Sequence, residues 1–342
     1  MKSIGFRVLN GFLCCCLTIA VCAQDPVEQD PDIIRVDTDL TNLLFTASDK
    51  NNRFITTLKQ EDLRLMEDGV PQTIVTFQRE TDRPLAIAFL IDVSISQERT
   101  LSQEKAATRA FIETVIKSNK DQAAMLAFTH SAFLEQDLTR DVLSLYRALE
   151  RVDVAMPSYL GGGPALTGIA SGPGMLAPPR EGTTAIWEAV VLTNARVLVP
   201  RSGAPAESQR RRAIILLTDG FDTSSRLKRS EAIESALAAE AVIYAIGIGD
   251  GKYSGVDKDA LKAVAESTGG RAFFPKKEVD LKKAFGEIEQ ELRSQYLIAY
   301  TSSNKRRDGS YRQMRLEITD PLLQKQKLQL RYRPGYFARP LN

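Results

Sequence analysis

Thirteen residues at positions 84–96, PLAIAFLIDVSIS, constrain this chain more than any other stretch. Positions 85–91 are apolar without a break, the pattern of a strand that helices cover on both faces and that has no wet side. Such a strand belongs in the middle of a parallel sheet. Just past the run, Asp92, Ser94 and Ser96 recur at every second position, so an extended backbone turns all three side chains to one side. Open α/β sheets hold their ligands at the carboxyl ends of strands. An all-oxygen donor set with one carboxylate suits a hard divalent ion such as Mg²⁺ better than zinc or copper. The same pentapeptide also fits a plainer role, a turn and helix cap in which the hydroxyls bond nearby backbone.

A second run of the same kind follows downstream. Positions 213–217 are wholly apolar and lead into Thr218-Asp219-Gly220-Phe221-Asp222. Between and after the two runs the text alternates. Helical stripes are expected over 98–117 (Ala107, Phe111 and Val115 on one face), 140–152, 185–198, 227–241, from Asp257 to the Gly269-Gly270 stop, and over 281–293. Strands are expected at 123–128, 132–138, 242–248 and 272–274, with the more polar 132–138 at an edge. This alternation predicts an α/β fold, a doubly wound and mostly parallel sheet with helices on both faces.

The flanks read differently. Positions 33–80 carry short alternating runs separated by turn clusters such as Glu67-Asp68-Gly69, and 295–342 returns to strand text with a turn at Asp308-Gly309. Two arrangements fit: one small β-sandwich built by both ends, with the α/β domain of residues 84–294 inserted between them, or two separate appendages. Residues 153–182 are rich in glycine and proline and longer than an ordinary connection, as functional lids and disordered segments are. That stretch ends directly before Thr183-Thr184.

The amino terminus reads as a secretory signal peptide over 1–23: Lys2 and Arg7, a short apolar core at 12–21, and a small-residue cleavage site before Gln24. The apolar core is too short for a membrane span, and an acidic, proline-containing leader follows at 24–32. Export places the protein in the periplasm or outside the cell. All four cysteines (Cys14, Cys15, Cys16 and Cys22) lie inside the signal, and Val21 before Cys22 argues against lipidation. Without the signal, the 45 basic residues fall to 43 against 43 acidic ones, a balance that argues against nucleic acid as a partner. One histidine and no thiol leave little for zinc or cysteine chemistry.

Several motifs have bland readings. Asp222 fits a helix cap as well as a supporting role at a metal site. Gly247, Gly249 and Gly251 are spaced as a strand-end turn and not as a dinucleotide fingerprint. His130 beside Ser131 is expected at the surface, since no G-x-S-x-G elbow accompanies it. Arg210-Arg211-Arg212 reads as a solvated face.

Three pieces in order, Asp92-Val93-Ser94-Ile95-Ser96, Thr184-Ala185-Ile186-Trp187-Glu188-Ala189-Val190 and Thr218-Asp219-Gly220, resemble the metal-ion-dependent adhesion site of von Willebrand factor type A domains. The likeness covers about residues 84–294. Beyond it, Leu65-Met66-Glu67-Asp68-Gly69-Val70-Pro71-Gln72, Ile246-Gly247-Ile248-Gly249, Thr268-Gly269-Gly270-Arg271 and Arg333-Pro334-Gly335-Tyr336 are similar to the secreted bacterial family named for acidobacteria. The resemblance implies one Mg²⁺ (or Mn²⁺ or Ca²⁺) ion with Ser94, Ser96 and Thr184 as direct ligands and Asp92 and Asp219 as water-mediated or direct ones. It also implies a protein partner that offers an Asp or Glu to the ion, and no catalysis. The small-residue loop departs from the family pattern: Thr183 stands where a second glycine is usual, which makes it a rival to Thr184. Two other classes stay open at this point, a structural envelope protein with a non-functional site, and a metal-assisted hydrolase. The hydrolase lacks a D-x-D pair, because Ser94 occupies the second acidic position.

Overall fold

The two apolar runs are adjacent central strands. In the computed structural model, which describes residues 40–155, 183–199, 210–249 and 255–338, β5 (Leu85–Asp92) lies parallel to β8 (Arg211–Thr218), and every residue of both is buried. The signal and leader, most of the 153–182 stretch, most of the loop before β8 and Gly251 fall outside the described residues. Alternation along β5 feeds two cores. Leu85, Ile87, Phe89 and Ile91 pack with α1 (Leu101–Val115), α2 (Val142–Arg151) and α6 (Glu278–Arg293). Ala86, Ala88 and Leu90 pack on the other face with α3 (Ile186–Leu192), α4 (Arg229–Ala238) and α5 (Lys258–Ser267). Truncating one of these side chains, as in Leu90→Ala, costs about 2–5 kcal/mol.

The remaining strands are β6 (Gln122–Phe128), β7 (Ala132–Thr139), β9 (Ala241–Gly247) and β10 (Ala272–Phe273), and the sheet order is β10-β9-β8-β5-β6-β7. Only β7 runs antiparallel, at the edge, as its polar text suggests. The protein is thus a mixed α/β fold with a mostly parallel sheet between helices. The chain winds one way from β5 to β6 and the other from β8 to β9, so the reversal falls between β5 and β8.

Strands from the two ends of the described chain interleave. β1 (Leu40–Ser48) and β4 (Ile74–Glu80) flank β11 (Gln295–Thr301), and β13 (Gln329–Tyr332) pairs with β1. A second sheet has the order β14-β12-β2-β3, from Gly335–Phe337, Tyr311–Ile318, Leu63–Glu67 and Val70–Gln72. Inward residues of both sheets, among them Phe45, Leu65, Tyr296, Tyr300 and Leu316, share one core, which makes the pair a sandwich. A short α7 (Pro321–Lys325), not foreseen, connects β12 to β13 and is capped by Asp320. All described residues belong to one compact unit, Asp39–Asn342.

Other expectations change in detail. The helix after β5 begins only at Leu101, because a 3-10 turn over Ile95–Gln97 comes first; the extended backbone expected through Ser96 therefore stops at Asp92, and it is the turn that brings Ser96 to Ser94. The arginine run is not a solvated face: Arg210, Arg211 and Arg212 are 5%, 3% and 5% exposed, and their guanidinium groups donate to the backbone carbonyls of Lys120, Leu292 and Ala239 respectively. Long side chains at the start of a central strand reach carbonyls that the ends of neighbouring elements leave open.

Candidate functional site

Register brings the first two motifs together. Ile91 faces Leu217 across the β5–β8 pair, so Asp92 lies beside Thr218. The Thr218 hydroxyl donates to Asp92 Oδ2 at 2.6 Å, and the backbone N–H of Ser94 donates to Oδ1 at 2.9 Å. Gly220, with φ of +87°, turns the chain after Asp219. A Cβ there would meet the Leu261 side chain at 2.9 Å and the Asp257 carbonyl at 3.0 Å, so glycine is required on both counts.

The threonine segment docks on the same rim. The Thr184 carbonyl accepts from the N–H groups of Thr223 and Ser224, and the Ala185 N–H donates to the Thr129 carbonyl at the end of β6 at 2.7 Å. Asp222 caps a helix, but one 36 residues earlier in the chain: its Oδ1 accepts from the N–H of Ile186, the first residue of α3. Ser225 takes the next N–H groups, those of Trp187 and Glu188. The loop after β8 therefore holds the Thr184 loop in place by side-chain caps. Thr184 is buried and Thr183 half-buried.

The hydroxyls of Ser94 and Ser96 stand 3.0 Å apart. That is a hydrogen bond between the two hydroxyls, and it is also close to the about 2.9 Å that separates neighbouring oxygens around an octahedral Mg²⁺ at about 2.0–2.1 Å. Among the described residues no cluster of three or more His, Cys, Asp or Glu could hold a metal. A divalent ion at this rim needs hydroxyl donors, and the residues present fit one.

Among the described residues the rim gathers carboxylates. Burial pushes Asp92 up to about 6, against the hydrogen bonds from Thr218 and Ser94, and the neighbouring charge of Asp219 adds to the rise. Glu104 on α1, absent from the sequence reasoning, is fully buried and neither of its oxygens meets a donor in hydrogen-bonding geometry. Burial pushes it up to about 8; Thr100 opposes the rise, and Asp92 and Asp219 reinforce it. From the serines inward, Gln97 reaches Ser96 at 3.4 Å and Thr100 reaches Gln97 at 3.0 Å, one turn before Glu104. His130 is half-buried beside Thr129, and burial lowers its pKa.

Two aspartates, a serine pair and a docked threonine thus meet at the switch point of an open, doubly wound α/β sheet. Residues 175–287, about a third of the chain, match the family model of the von Willebrand factor type A domain. The match takes in Thr184 and Asp219 and begins downstream of Asp92, Ser94 and Ser96. Among solved structures, the chain resembles a von Willebrand factor type A protein from Catenulispora acidiphila (14% identity, TM-score 0.48, covering 90% of this chain and 75% of that one). It also resembles proximal thread matrix protein 1 from the mussel byssus with a zinc-occupied MIDAS motif (19%, 0.47, 67% and 50%) and BatB from Bacteroides thetaiotaomicron (18%, 0.44, 61% and 100%). The chain spans about half the length of the mussel protein. No curated protein matches the sequence.

Proposed function

We propose that the protein is an exported binding module that engages an acidic residue of a protein partner through one divalent cation, Mg²⁺ or else Mn²⁺ or Ca²⁺. The observation that carries this reading is the serine pair at octahedral spacing on the same rim as Asp92, Thr184 and Asp219. Ser94, Ser96 and Thr184 are the candidate hydroxyl ligands. Asp92, with both oxygens already accepting protein hydrogen bonds, and Asp219 act through waters or directly. An ion held mainly by neutral hydroxyls keeps enough uncompensated charge to attract a carboxylate from outside. The protein's own part is to fix the donors: the Thr218 hydroxyl orients Asp92, and the Asp222 and Ser225 caps hold Thr184 in register.

Binding and not catalysis is the role the residues support, since the second carboxylate that a phosphoryl-transfer D-x-D pair needs is Ser94. Export rests on the signal-like 1–23 segment and the resemblance to a secreted bacterial family. Among the described residues no helix is long and apolar enough to cross a membrane. Capture from envelope extract, with and without chelator and with Asp92→Ala as control, tests the reading. The expected outcome is a partner retained only by wild type with divalent ion present; equal capture in all arms excludes a metal-bridged contact.

A further inference from the structure

The buried arginines mark a second polar site, at the end of the sheet away from the cation rim. A cavity of about 50 Å³ lies at the amino ends of β8 and β9, where β1 and β13 of the sandwich meet the α/β domain. By the same measure a water needs about 10–15 Å³, so the space takes about three to five waters or one tetrahedral oxyanion. Five arginines line it, Arg83, Arg210, Arg211, Arg331 and Arg333, against two carboxylates, Glu240 and Glu291. They come from both sides of the seam.

Hydrogen bonding there is incomplete in a specific way. Arg211 is 3% exposed; its Nη2 donates to the Glu80 carbonyl at 2.9 Å and its Nη1 to the Leu292 carbonyl, while Nε has no partner. Arg331 donates from Nη2 to Gln329 at 3.1 Å, and its Nη1 makes no hydrogen bond although Glu291 Oε2 lies 3.9 Å away. Two buried acceptors of the same lining, Glu291 Oε2 and Gln295 Oε1, also make no hydrogen bond, although Glu291 Oε2 lies 4.0 Å from Arg271 as well as 3.9 Å from Arg331. A buried donor or acceptor left unmade carries a desolvation penalty that a ligand with matching groups would relieve. Burial lowers the guanidinium pKa of Arg211 to about 10, with Arg83 adding to the drop, and raises that of the Glu291 carboxyl. Among the lining residues guanidinium groups outnumber carboxylates, whereas the rim gathers carboxylates.

We propose that this seam cavity binds a phosphate ion, whose oxygens accept from Arg211 Nε and Arg331 Nη1 and whose P–OH group donates to Glu291 or Gln295. Guanidinium groups suit tetrahedral oxyanions through paired, charge-assisted bonds. The unpartnered acceptors beside them select an oxyanion that still carries a proton. Bound there, phosphate fastens β13 of the sandwich to β8 of the α/β domain.

Thermal unfolding of the full chain in millimolar inorganic phosphate, against chloride at matched ionic strength, tests the proposal. The expected result is a Tm that climbs with the logarithm of phosphate concentration, by about 3 °C, and does not move with chloride. Arg211→Gln also removes bonds to two carbonyls and is prone to misfold, so the deciding variant is the partly exposed Arg331→Gln. That variant folds and loses the phosphate response, whereas Asp92→Ala keeps it. A Tm indifferent to phosphate, an equal rise in Arg331→Gln, or loss of the response in Asp92→Ala each overturns the assignment.

Discussion

Glu67 and Asp92 each end a strand with a buried carboxylate, and their surroundings treat them in opposite ways. At the end of β2, Glu67 accepts from the hydroxyls of Tyr300 at 2.6 Å, Tyr336 at 2.9 Å and Ser302, and from Arg312 at 3.2 Å. Burial alone would raise its pKa; these donors outweigh burial and hold it below the ordinary carboxylate range. At the end of β5, Asp92 has Thr218 and Ser94 as donors, no cationic side chain among the described residues that hydrogen-bonds it, and Asp219 and Glu104 as neighbouring charges. The sandwich neutralises its acid from within, whereas the proposed function has a bound cation neutralise the acids of the rim. A structural carboxylate and a ligand-seeking one are told apart by what surrounds them, burial being common to both.

The largest expected effect is on the sandwich side. Glu67→Ala leaves Arg312 buried without its partner and costs about 3–5 kcal/mol in denaturant unfolding. Because the folded pKa of Glu67 is depressed, its contribution is present above the ordinary value of 4.5 and is lost as the pH falls through the folded pKa. On the rim, Asp92→Ala weakens divalent-ion binding by roughly 100-fold in calorimetry while the fold, read by circular dichroism, persists.

Glu104 separates the two regimes further. Its folded pKa, about 8, lies above the ordinary 4.5, so its favourable contribution is complete below 4.5 and lost as the pH rises through 8. Glu104→Gln is expected to be neutral in stability at about pH 4 and stabilising by roughly 1–3 kcal/mol at about pH 9, a gap that divalent ion narrows by favouring the carboxylate. In Glu67→Gln the pH trend has the opposite sign. The smallest effect concerns the rival threonines: Thr184→Ala lowers ion affinity about tenfold and Thr183→Ala by less than about twofold.

Much of this was legible in the sequence where one physical constraint acts along a single segment. Burial on both faces makes positions 85–91 and 213–217 apolar throughout, and the D-x-S-x-S spacing singles out Asp92, Ser94 and Ser96, although the chain brings Ser96 to Ser94 through a 3-10 turn and not by continued extension. What escaped depends on contacts between distant segments. The Thr218–Asp92 bond joins residues 126 apart, and Asp222 caps a helix that precedes it. The arginine run reads as solvated because nothing local reveals the sandwich that covers the start of β8. Glu104 did leave a trace: the stripe of Thr108, Phe111 and Val115, continued one turn back, falls on it, a charged residue on the buried face of α1.

Whether the rim holds one cation at the switch point is decided by a calorimetric titration of Mg²⁺ into the metal-free protein at neutral pH and again near pH 5. One ion per chain is expected, with affinity falling about tenfold per pH unit below the Asp92 pKa of about 6. Absence of binding, or binding that Asp92→Ala leaves unchanged, contradicts it.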